Sequence, residues 1–135
     1  MDSAAPPPKS WEVSETDWPA IMSKVRAVLE STARDRSTLS YSDLVQRVPG
    51  FSGPDSHALA KMLGDTNASE RVYKGAPLLL SAVVVHKHDM YPGGGFFAAA
   101  RHLGVAVPES DERRRIMWAE ELARVHEAYG SKGDR

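Results

Sequence analysis

The stretch Ala76-Pro77-Leu78-Leu79-Leu80-Ser81-Ala82-Val83-Val84-Val85-His86-Lys87 is the only long apolar run in the chain, and Pro92-Gly93-Gly94-Gly95-Phe96-Phe97 follows shortly after it. The run is rich in Val and Leu, opens beside a proline and closes at charged residues. It therefore predicts one strand near 77–86, buried on both faces. The glycine turn predicts a helix from Phe96 to Leu103, ended by Gly104. The flanking segments read as helices. The expected class is α+β and mostly helical, with about five helices around a small sheet and a winged-helix-like outline over residues 38–90.

On the N-terminal side of the run, a helix is expected from about Asp55 to Leu63, with Leu59, Met62 and Leu63 inward and Gly64 ending it;. Before it, Ser40-Tyr41-Ser42-Asp43 resembles a capping box with Asp in place of Glu or Gln, and Leu39 with Leu44 supplies a hydrophobic staple;. That helix turns Leu44, Val45 and Val48 inward and stops at Gly50. The link Asp65–Gly75 has room for one helical turn at Ala68–Val72. A first helix starts at Asp17, with Trp18 and Pro19 in its opening turn, and carries Ile21, Val25, Val28, Leu29 and Thr32 on one face;. Towards the C-terminus, Ser110 is a good N-cap, Asp111 and Glu112 suit the dipole, and Trp118, Leu122, Val125 and Tyr129 form a stripe;. Residues 1–10, with Pro6-Pro7-Pro8, read as a disordered tail, 11–130 as one globular domain and 131–135 as a loose end;.

The 135 residues allow one core, and a hydrophobic fraction of 41% is ordinary for a soluble domain;. The absence of Cys excludes disulfides, thiolate zinc sites and cysteine nucleophiles, and fits a reducing cytoplasm;. No apolar signal core opens the chain and the apolar run is too short to span a bilayer, so a cytoplasmic protein with no membrane partner is expected. The formal charge of -1 neither attracts nor repels nucleic acid strongly;.

The segment Thr38-Leu39-Ser40-Tyr41-Ser42-Asp43-Leu44 is similar to the opening of the alkyltransferase-like winged-helix DNA-binding domain. His57-Ala58-Leu59-Ala60-Lys61-Met62-Leu63-Gly64-Asp65-Thr66-Asn67 resembles that family's recognition helix and the asparagine after it. The resemblance implies a second helix that enters the minor groove, beside an Arg that holds the site of a flipped base. Here His57 falls where that Arg would stand, and the Pro-Cys-His-Arg motif is absent, so the resemblance does not extend to alkyl transfer. Residues 77–104 also look like uncharacterised small bacterial and phage domains.

Several constellations offer chemistry. On a strand, His86 and His88 would project from one face and could share a metal, with Asp89 or His102 as a third ligand; the bland alternative is a polar turn after the strand ends at Val85;. Gly93, Gly94 and Gly95 precede a helix N-terminus, which suits an anion, yet the pattern lacks the P-loop Lys-Ser/Thr and fits a tight turn better;. Ser56, His57 and Lys61, with Lys74 and Lys87 beyond, form the candidate nucleic-acid face;. No catalytic arrangement and no cofactor is expected. The expected function is a non-enzymatic bacterial or phage binding module, with DNA ahead of a protein partner. The alternative is a protein-interaction, inhibitor or immunity module, which the near-neutral charge and Trp11 with Trp18 favour. A metal-dependent enzyme built on His86 and His88 comes third.

Overall fold

The computed structural model describes residues 13–133, with side chains through 130. The expected tail 1–10, Trp11 and the last two residues lie outside them. The elements in order are α1 (Trp18–Arg34), β1 (Leu39–Ser40), α2 (Tyr41–Arg47), α3 (His57–Ala68), β2 (Val72–Tyr73), β3 (Ala76–Pro77), a 3-10 helix (Leu80–Val83), β4 (Val84–Val85), α4 (Gly94–His102) and α5 (Asp111–Gly133). The class is α+β and mostly helical, with five α-helices and two short strand pairs among the described residues.

Helix starts follow their caps. Ser40 Oγ accepts from Asp43 N at 3.0 Å, Ser56 Oγ from Leu59 N at 3.1 Å and Ser110 Oγ from Arg113 N at 3.2 Å. These side chains satisfy amides that a helix start otherwise leaves open. Asp17 occupies the N-cap of α1, although its side chain makes no capping bond. Helix α3 runs five residues beyond Leu63, through Gly64, because that glycine keeps an ordinary helical φ; Gly50, Gly75 and Gly104 are the described glycines with positive φ. The turn foreseen at Ala68–Val72 is instead the entry to a hairpin. Val72 and Tyr73 pair with Pro77 and Ala76, and Lys74 and Gly75 form the two-residue turn at φ 52° and 89°. Positive φ at both positions matches the right-handed twist of paired strands. Helix α5 continues through Gly133, past the loose end expected near Gly130.

The apolar run is buried as expected. Leu78, Leu79, Leu80, Ala82, Val83, Val84 and Val85 each expose at most 1% of their surface. Its conformation differs, because the middle is a 3-10 helix rather than a strand. The reason is a lack of ladder partners. β1 ends after two residues, where the α2 cap begins, so it can pair only Leu39 with Val84 and Ser40 with Val85, in parallel. Pro77 has no N–H to offer upstream.

Side chains from the surrounding helices serve the buried backbone instead. Asn67 of α3 is 2% exposed; its Oδ1 accepts from Ser81 N at 2.9 Å and its Nδ2 donates to Ser81 Oγ at 2.8 Å. From α5, Glu121 Oε2 accepts from Leu79 N at 2.8 Å and Trp118 Nε1 donates to Ala82 O at 2.8 Å. Arg124 pairs with Glu121 at 2.7 Å and donates to the carbonyls of Tyr73, Ala76 and Pro77. Around this centre, α1 buries Val25, Leu29, Thr32 and Ala33 against α5 and the 3-10 helix, while α3 packs on the 3-10 helix and α4.

A second polar knot joins α1, the end of α3 and α5. Arg26 donates to Glu70 at 2.6 Å, to Ser69 Oγ at 2.6 Å and to Thr66 O at 3.0 Å, and Tyr129 OH donates to Glu70 at 2.9 Å. Burial pushes the Glu70 carboxyl up, but the bonds from Arg26, Tyr129 and the Arg71 backbone outweigh it and hold the group below the usual carboxylate range. Burial and the adjoining Glu70 together raise the Tyr129 phenol.

Two outcomes are expected. Asn67→Ala leaves the Ser81 N–H buried without a partner and should cost about 1–3 kcal/mol. A thermal melt that matches the wild type would remove Asn67 from this role. For Glu70, the folded-state pKa is depressed, so its stabilisation is complete above the ordinary value of 4.5 and is lost as pH falls through the lower folded-state value;. Denaturant midpoints measured from pH 6 down to ~2.5 should fall more steeply for wild type than for Glu70→Gln; parallel curves would contradict that assignment.

Candidate functional site

The N-terminal ends of α2, α3 and α4 meet the turn after β4 and enclose a cleft of about 190 Å³. Leu59, Leu63 and Phe96 make its apolar wall, and Tyr41, Ser56, Ser81 and His86 bring polar atoms to it. Each position follows from local rules. Tyr41 is the first residue of α2, directly after the Ser40 cap. Ser81 sits in the 3-10 helix, gripped by Asn67. His86 follows the last residue of β4, and its amide donates to Tyr91 O at 2.9 Å, which closes the turn.

Contacts within the cleft are close. The Tyr41 and His86 rings lie 4.7 Å apart between centroids, and Gly93 N donates to Tyr41 OH at 3.1 Å. A Cβ on Gly93 would stand 3.0 Å from His86 Nε2, so this position admits glycine because of close packing, with φ at an ordinary −76°. Burial raises the Tyr41 phenol, and the Gly93 amide opposes this, so the hydroxyl keeps its proton at neutral pH.

The predicted site residues divide among several places. Ser56 is 5% exposed, and its hydroxyl caps α3; it therefore does not face outward as expected. His57 and Lys61 are exposed on α3, and Lys61 reaches Asp65 at 3.5 Å. Lys87 is exposed on the turn and lines a shallow continuation of the cleft with Asp55 and His88. Lys74 stands apart, on the hairpin beyond the C-terminal end of α3, where it pairs with Glu127 of α5 at 2.9 Å. That bond draws the Lys74 pKa up and the Glu127 pKa down.

The two histidines do not share a strand face. β4 stops at Val85, residues 87–89 turn, and the rings of His86 and His88 lie 5.5 Å apart between centroids. His88 faces Asp89 at 3.5 Å, and among the described residues no group of three or more His, Cys, Asp or Glu side chains could hold a metal ion. Of the glycines, Gly93 donates to Tyr41, while Gly94 and Gly95 open α4, with Gly95 against Ala60. Nothing local in the sequence marks Tyr41, Ser81 and Phe96 as site residues: Tyr41 belongs to a capping segment, Ser81 to the apolar run and Phe96 to a helix start, and no local spacing joins the three.

No protein-family model, no curated protein and no solved structure matches the chain. Among the described residues, no helix is long and apolar enough to cross a membrane.

Zinc tests the histidine pair directly. A metal bound to the folded state raises the melting temperature by mass action. The expected result is no rise on titration with zinc. A saturable one-to-one rise that His88→Ala removes would assign the pair as a metal site.

Proposed function

We propose that the protein is a non-enzymatic binding module that engages duplex DNA through the exposed face of α3. The observation that carries this reading is the arrangement of α3. Its inner face is anchored by the buried Leu59, Met62, Leu63 and Asn67, while His57, Ala60 and Lys61 are exposed along its outer side. A rigidly backed helix with a narrow outer face can approach a groove. α2 precedes it, the β2–β3 hairpin follows it, and the resemblance at residues 38–67 points the same way. Lys87 lies near its N-terminal end, within reach of phosphate; Lys74 is directed to α5 and is not part of this face.

The rival reading is a protein-interaction or inhibitor module. Pairing of Lys61 with Asp65 and of Lys74 with Glu127 favours it, because the cations are interleaved with acids. Exposed pairs of this kind are worth little and open readily, so Lys61 remains available to phosphate.

Fluorescence anisotropy with duplex DNA between low and physiological salt separates the readings. With Lys61 and Lys87 as the phosphate contacts, log affinity should fall against log salt with a slope of about −2, at ~0.9 per phosphate. Lys61→Glu with Lys87→Glu should remove most of the binding and leave the melt unchanged, whereas Lys74→Glu should have a small effect. Absence of wild-type binding at low salt would end the DNA reading in favour of a protein partner.

A further inference from the structure

The cleft beside α3 contains hydroxyls whose bonding is half complete. Ser81 Oγ accepts from Asn67 Nδ2 at 2.8 Å, and Tyr41 OH accepts from Gly93 N at 3.1 Å. Among the described residues, neither O–H has an acceptor of its own. Both residues line the cleft, and Ser81 is only 4% exposed. A hydroxyl carries one donor as well as its acceptor pairs, and a buried donor left unmade is costly. The wall between them is apolar, made by Leu59, Leu63 and Phe96. The space of about 190 Å³ is a little larger than an engineered apolar cavity of ~150 Å³ that takes up benzene, and smaller than the ~300 Å³ at which drug-sized sites begin;.

We propose that this cleft binds a free, single-ring aromatic molecule bearing a neutral carbonyl acceptor. The size admits one ring. The apolar wall and the Tyr41–His86 ring pair favour an aromatic one. The O–H donors at Ser81 and Tyr41, each on an oxygen that already accepts one hydrogen bond, favour a ligand that accepts hydrogen bonds;. Asp55 at the edge is offset by Lys87 in the shallow continuation beyond it, so the charges at the mouth are balanced and suit a neutral group;. Of the α3 outer face only Ala60 borders this site, and neither Lys61 nor Lys87 lines it, so the inference stands whether the module meets DNA or protein.

Benzamide is the probe and toluene the control of like size without an acceptor, each titrated into the full chain with amide NMR spectra as readout. Benzamide should shift Ser81, Gly93 and Phe96 saturably and bind ~5-fold more tightly than toluene, the ratio expected for about one net hydrogen bond. Tyr41→Phe should reduce that ratio towards one. Ala60→Phe, at an exposed position on the edge of the cleft, should abolish both interactions while the fold persists. If Tyr41→Phe fails to fold, the benzamide–toluene ratio and Ala60→Phe still decide. Shifts that do not saturate, equal affinity for the two probes, or binding that survives Ala60→Phe would each overturn the proposal.

Discussion

The structure depends on one constraint: residues 78–83 are fully buried, yet among the described residues no strand lies beside them to complete a hydrogen-bond ladder. An unpaired buried amide or carbonyl is expensive, so partners must come from elsewhere. They come from Asn67 on α3, from Trp118 and Glu121 on α5, and from the Arg71 carbonyl, which accepts from Leu78 N, while Arg124 serves the carbonyls just upstream. Each of these bonds fixes an axial position and a rotation of its helix as well as satisfying a group. The 3-10 helix therefore does the work that a central strand does in a sheet protein, with side chains in place of a ladder.

This constraint also places the candidate site. Asn67 stands near the C-terminal end of α3, where it locks the helix to Ser81. With that end fixed and the inner face buried, the N-terminal end of α3 must lie beside the turn that follows β4. The Leu39–Val84 and Ser40–Val85 pairings bring the start of α2 to the same place. The Gly93 amide then ties α4 to Tyr41. Three helix starts converge on a few polar side chains because the buried segment between them is short and tethered on both sides. The Arg26–Glu70–Tyr129 knot holds the C-terminal end of α3 against α1 and α5, and the buried Ala58 and Leu59 seat its N-terminal end, so the exposed face is presented on a well-anchored helix.

The parts legible in the sequence were those governed by near neighbours. The caps at Ser40 and Ser110, the inward faces of α1 and α5, the stop at Gly104 and the burial of Leu78–Val85 all follow from composition within a few residues. The errors have a common cause. Gly64 looked like a helix stop, but packing and the Asn67 bonds carry α3 past it. Ser56 looked like an outward donor beside His57, but the helix start consumed its hydroxyl. Lys74 looked like a partner of Lys61, but the hairpin turn directs it to Glu127.

By itself, the sequence determined that this is a mostly helical α+β domain, where most helices begin, and that residues 78–85 form its centre, because apolar patterning and capping act over a few residues. Tertiary structure alone decided that the centre is a 3-10 turn and that Tyr41, Ser81, His86 and Gly93 share a cleft. Asn67 and Glu121 act on residues 14 and 42 positions away. Bonds across such separations have no local signature; they exist only once packing has brought the helices together.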